Sequence, residues 1–153
     1  MKHAIKYIIG IGFLIFAPIM ASCAAGPAPT GQVLFLDSAQ TEQTLAADEI
    51  ISFYVTFSQE AAESVEIEVS LETLAGADWK AALCYADQCF IHDGSKKLVH
   101  AMVSGEETEF EIKIFVPAEA QAGERKTVRM GAWIKGQTRQ KATIDLAGYL
   151  PEP

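Results

Sequence analysis

Hydrophobic and polar residues alternate with a period of two along most of this chain. Ile51, Phe53, Val55 and Phe57 alternate with Ser52, Tyr54, Thr56 and Ser58. Val65, Ile67, Val69 and Leu71 alternate with Glu66, Glu68, Ser70 and Glu72. The same rhythm returns at Phe110, Ile112, Ile114 and Val116, then at Val128, Met130, Ala132 and Ile134, and closes with Ala142, Ile144 and Leu146. Alternation of this kind sends one face of a strand into a core and the other into water. Gln32–Leu36 reads as a short first strand, and Trp79–Tyr85 and Leu98–Val103 as further strands with less clean alternation. Turn signals separate the runs at Asp93-Gly94, Ser104–Glu107, Ala122–Glu124 and Lys135–Gln137. Short helices fit Thr41–Asp48 and Ala118–Ala122, although neither carries a full amphipathic face. The pattern predicts an all-β fold, a single antiparallel sandwich of about seven to eight strands over residues 32–150.

The first residues break this rhythm. Lys2 and Lys6 precede an apolar run from Ile8 to Ala17, followed by Met20-Ala21-Ser22-Cys23. A basic start, an apolar stretch and small residues before a cysteine make an export signal over residues 1–22. Cys23 stands where a bacterial lipoprotein carries its lipid, although Met20 occupies a position where leucine is usual. Cleavage near Ala25 without lipid is the second reading, and an uncut anchor over Tyr7–Ala25 is the third. Residues 23–31 are small, uncharged and Pro/Gly-containing, which suits a flexible tether. The expected location is the cell envelope, with the domain facing periplasm or exterior. In a two-membrane cell, Ala24 lacks the acidic residue associated in some species with inner-membrane retention, which favours the outer membrane.

Charge narrows the partners. The 153 residues carry a net charge of −8. Residues 1–22 hold two of the twelve basic residues and none of the twenty acidic ones, so the mature 131 residues carry −10. Such an acidic surface disfavours nucleic acid and anionic lipid. The expected attachment is to a membrane through the lipid anchor, with an envelope protein or a glycan as further partner. The chain contains no asparagine and so no N-glycosylation acceptor.

Trp79-x4-Cys84-x4-Cys89 is followed by Ser104-Gly105-Glu106-Glu107, the strand at Phe110–Ile112, and Val116-Pro117-Ala118-Glu119-Ala120-Gln121-Ala122-Gly123. This succession resembles bacterial immunoglobulin-like domains of the NEW3 kind, over roughly Ile50 to Ile134. The resemblance implies an Ig-like sandwich appended to envelope proteins and implies no particular activity. Two departures stand out: this module is alone in its chain, and it lacks asparagine-rich turns.

Four chemistries compete for the remaining residues. Cys84 and Cys89 are spaced to turn back on each other, and two nearby cysteines in an oxidising compartment pair. The rival reading is a small periplasmic metal or redox carrier built on Cys84, Cys89, His92 and His100, with Met102 as an axial copper ligand. The glutamates at 66, 68, 72, 106, 107, 109 and 111 lack the looped spacing of a calcium site and read as solvated sheet positions. No nucleophile motif is present, so no catalytic residue, no enzyme activity and no cofactor are expected. Tyr54, Phe115 and Trp133 all fall on the polar phase of their strands. If those strands are neighbours, the three rings form one exposed face fit for a partner. The alternative is a ring covered by a loop, the tether or a lysine stem.

Overall fold

The computed structural model describes residues 34–61, 63–91, 98–103 and 105–152, with the backbone alone at 98–100. The export segment, Cys23, the tether, His92 and the Asp93-Gly94 turn lie outside these residues. Ten strands follow one another, and the described residues contain no helix: β1 (Leu34–Asp37), β2 (Glu42–Thr44), β3 (Ile50–Gln59), β4 (Val65–Gly76), β5 (Lys80–Tyr85), β6 (Gln88–Ile91), β7 (Leu98–Met102), β8 (Glu107–Phe115), β9 (Arg125–Ile134) and β10 (Lys141–Tyr149). They form two sheets, ordered β1-β3-β8-β5-β6 and β2-β10-β9-β4-β7.

The order β1-β3-β8-β5 is the A-B-E-D order of an immunoglobulin sandwich, and β4-β9-β10 is its C-F-G sheet. Those seven strands are all among the ones that the sequence pattern predicts. The other three, β2, β6 and β7, are short and each lies at a sheet edge. Of these, β7 is the strand expected at Leu98–Val103, and it is β2 and β6 that raise the count above seven to eight. The segment expected as a helix at Thr41–Asp48 instead forms β2, which pairs parallel to β10 through Glu42↔Ala147, Gln43↔Gly148 and Thr44↔Tyr149. Every other strand pair is antiparallel. The second expected helix is a pair of turns within the loop that Glu124 closes.

The core is one apolar layer between the sheets. Phe53, Phe57, Phe110, Ile112, Met130 and Leu146 are fully buried there. Trp79 is buried at one end, and its indole N–H donates to Glu124 Oε2 at 3.3 Å. The same oxygen accepts the Gln121 N–H at 3.1 Å, so Glu124 ties the loop after β8 onto the tryptophan. Lys126 is buried at this end, where its Nζ donates to the Ala77 carbonyl at 3.1 Å. Burial pushes its ammonium pKa down, and the nearby Asp78 carboxylate opposes that.

Two backbone features fix registers. The β4–β9 ladder slips between Thr73 and Ala75, and Gly76 follows with φ +100°. A Cβ on Gly76 would collide with the Arg125 carbonyl, which accepts the Ala77 N–H at 2.7 Å. The β5–β6 hairpin turns through Ala86 and Asp87, with Tyr85 opposite Gln88. Ala86 takes φ +50°, a conformation that costs an alanine roughly 1–2 kcal/mol. Ala86→Gly should therefore raise unfolding stability by about 0.5–1 kcal/mol, part of the relief being lost to the freer unfolded chain. Urea denaturation checks this; a destabilised variant would show that the turn is not strained.

Candidate functional site

The three rings singled out from sequence do not share a face. Tyr54 points outward from β3, opposite Glu111 of β8, and is 56% exposed. Phe115 ends β8 in the same sheet, flanked by Ile50 and Lys80, and is half-buried. Trp133 lies on β9 in the other sheet and is only 5% exposed. Its cross-strand partners are Glu68 of β4 and Lys141 of β10. Glu68 Oε2 accepts the indole N–H at 2.6 Å, and the Lys141 ammonium lies 5.2 Å from the ring centroid. Gly131 makes room for this cover, since a Cβ there would collide with the Lys141 stem. The expectation of one three-ring surface is corrected: phase alone does not say which sheet a strand joins. Trp133 is a covered ring, and the lysine stem is what covers it.

Ion pairs occupy the rest of that outer face. Arg129 donates to both carboxylate oxygens of Asp145, at 2.6 and 2.8 Å. Lys135 meets Glu66 at 2.7 Å and Arg125 meets Glu42 at 2.7 Å. The hydrogen bonds from Arg129 hold the Asp145 carboxyl below its ordinary pKa, and the hydrogen bond to Glu66 holds Lys135 above its own. These solvent-facing pairs contribute little stability individually. Their effect is to cover the β10-β9-β4 rows with charge, leaving Leu74 near the end of β4 as an exposed apolar side chain.

Cys84 and Cys89 sit directly opposite each other on β5 and β6 and form a disulfide, with Cα atoms 4.0 Å apart. The bond lies on the outer side of its sheet, because Ala81 and Leu83, the alternate positions, belong to the core. This bond takes both sulfurs that the metal reading needs. Met102, the axial candidate, is a core residue. The backbone of His100 pairs with Ile67 in the opposite sheet from the cysteines, and His92 is outside the described residues. Among the described residues no group of three or more His, Cys, Asp or Glu gathers as a metal site would need. The pairing expected from the cysteine spacing is the one formed, and it leaves the metal reading without its two sulfur ligands.

The outer face of the β1-β3-β8-β5-β6 sheet is built differently. Ile50, Tyr54 and Ile91 are each more than half exposed there. Beside Tyr54, β1 leaves β3 after Asp37 and crosses to the other sheet as β2. Side chains take over where the ladder stops. Ser38 Oγ donates to the Tyr54 carbonyl at 2.8 Å, and Gln43 Nε2 donates to the Ser52 carbonyl at 3.0 Å. The crossing leaves a groove of about 340 Å³, lined chiefly by Ser38, Gln40, Gln43, Ser52 and Tyr54. Of these, sequence reasoning found only Tyr54. The available signal was the uncharged polar run Ser38-Ala39-Gln40-Thr41, which a strand core has no use for.

No protein-family model and no curated protein matches the sequence. Solved structures share the fold. A conjugative transposon lipoprotein from Bacteroides eggerthii superposes with a TM-score of 0.57 at 4% identity, over 77% of this chain and 98% of that one. The N-terminal domain of PorA gives 0.55 at 16% identity, over 77% and 96%. A family 123 glycoside hydrolase from Clostridium perfringens gives 0.55 at 8% identity, over 79% of this chain but only 28% of the enzyme. These likenesses establish the Ig-like β-sandwich.

The Arg129–Asp145 pair makes a pH prediction. A carboxyl whose folded pKa lies below its unfolded value stabilises the fold above the unfolded value, and that contribution is lost as pH falls through the folded one. NMR titration should place the Asp145 midpoint below the ordinary ~3.9, and Arg129→Gln should return it there. An unchanged midpoint in the variant would show that the arginine is not the cause.

Proposed function

We propose that this chain is a non-enzymatic cell-envelope lipoprotein, lipidated at Cys23, whose Ig-like domain of the NEW3 kind serves binding or assembly of envelope components. The observation that carries this is the asymmetry of the two outer faces. One is closed by Arg129–Asp145, Lys135–Glu66 and the Glu68–Trp133–Lys141 row. The other leaves Ile50, Tyr54 and Ile91 in solvent and holds a groove beside Tyr54. Phe35, Ile50, Tyr54 and Ile91, most of the large exposed apolar side chains among the described residues, belong to this sheet. A face rich in them is what a recognition surface presents, while a face sealed by ion pairs resists association.

Supporting the anchoring half are the basic-apolar-small succession of residues 1–22 and the cysteine that follows it. The pairing of Cys84 with Cys89 leaves Cys23 as the odd cysteine, and acylation accounts for it. The likeness to a lipoprotein of Bacteroides eggerthii supports the reading in one respect: the same fold serves in a lipoprotein. The tether at residues 23–31 would hold the domain at the membrane surface while leaving it free to turn toward an envelope protein or glycan.

Labelling cells with a fatty-acid analogue tests the anchor. The wild-type protein should carry the label and sediment with membranes, and Cys23→Ser should lose both. Unchanged labelling and sedimentation in the variant would sink the lipoprotein reading.

A further inference from the structure

We propose that the groove between the β1–β2 crossing and Tyr54 is a binding subsite for a neutral oligosaccharide. The inference rests on the binding-module reading above and names its ligand class.

Charge comes first. None of the seven residues lining the groove is ionisable at neutral pH, in a chain whose net charge is −8. A site for a cation, a phosphate or a carboxylate would need the opposite charge at hand. This lining instead offers hydroxyls and amides from Ser38, Gln40, Gln43 and Ser52. Gln40 and Ser52 can donate and accept, Gln43 keeps one N–H and its amide oxygen, and Ser38, whose proton is committed to the backbone, accepts, which is the chemistry that matches a polyol.

Shape and the aromatic wall come next. A volume of about 340 Å³ lies at the small end of ligand sites and has room for about one or two sugar rings. Tyr54 supplies the apolar surface against which the C–H face of a sugar packs, and its hydroxyl adds a polar tip. Its 56% exposure means that no loop must open to admit a ligand.

The hydrogen bonds of the groove decide against its main rival, an extended peptide added to the bare edge of β3. Strand addition needs the edge carbonyls as acceptors. Ser38 and Gln43 already hold the carbonyls of Tyr54 and Ser52, at 2.8 and 3.0 Å. The same two bonds hold the floor of the groove in place before a ligand arrives, which lowers the ordering cost of binding.

Titration calorimetry of the full-length protein, purified in a non-glycosidic detergent, tests this. The probes are maltohexaose, xylohexaose and chitotetraose, with oligogalacturonate and a heptapeptide of alternating valine and threonine for comparison. At least one neutral sugar should bind saturably, in the range of about 0.1–1 mM. Tyr54→Ala should weaken it at least about tenfold and Tyr54→Phe far less. Leu74→Ala, an exposed apolar side chain on the other sheet, should leave it unchanged, with thermal unfolding confirming that all variants fold. No neutral sugar binding at about 10 mM, equal binding by Tyr54→Ala, or preference for the charged sugar or the peptide would overturn the proposal. Lipid labelling at Cys23 without sugar binding defeats this inference alone. Sugar binding without labelling defeats the anchor and leaves the subsite standing.

Discussion

Phe53, Phe57 and Phe110 meet Ile112, Met130 and Leu146 in a layer that water cannot enter, and the remaining geometry follows from keeping that layer closed. Each sheet has one apolar face, so neither is stable alone. Their inner faces fix which side of every strand turns outward, and thereby where each charge and exposed ring must sit. Small features at the ends serve the same layer. Glu124 pins its loop over Trp79, and Lys126 brings its apolar stem inside while its ammonium finds the Ala77 carbonyl. Gly76 lets β4 turn away beneath the Arg125 carbonyl without a collision.

The two outer faces solve the problem of a solvated sheet in different ways. On the β10-β9-β4 side, neighbouring strands place opposite charges in the same row, and Trp133 is drawn into that scheme by Glu68 and Lys141. An indole in such a row is stabilised in place and unavailable to a partner. On the β3-β8-β5 side, charge pairs within a strand, Lys113 with Glu111 on β8, and the cross-strand rows carry no opposite charges. Tyr54 faces Glu111, and Ile50 faces Phe115. The difference is a matter of which side chains the register sets opposite each other, since both sheets follow the same alternation.

Alternation made the seven framework strands legible, because buried and exposed residues report directly on a strand with one wet side. It also made the acidic positions legible: Glu66, Glu68 and Glu72 lie on the wet side of β4, where Lys135 meets Glu66, Lys141 meets Glu72 and the Trp133 indole N–H donates to Glu68. The cysteine pairing followed from spacing, and the Cys84↔Cys89 register realises it. Other features were not readable. Glu42-Gln43-Thr44 has no alternation, and it is a strand only because β10 presents an edge to it. The shared face of Tyr54, Phe115 and Trp133 failed because period two reports phase and says nothing of sheet membership. The groove beside Tyr54 depends on Ser38 and Gln43, each bonded to a carbonyl far along the chain. A sequence pattern carries no trace of such a meeting.

The parallel pairing of β2 with β10 has a mechanical consequence. Thr41 accepts the Ala147 N–H at 2.8 Å, and Leu45 donates to the Tyr149 carbonyl at 3.1 Å, so the pair is held at both ends. In a parallel pair, the start of one strand and the end of the other point in opposite directions. Tension between the segment preceding β2 and the segment following β10 therefore slides the two strands along each other. The bonds carry that load together instead of opening one after another. The contact between the first and last parts of the domain acts as a shear clamp, resisting a pull along the chain better than its three residues per strand would imply.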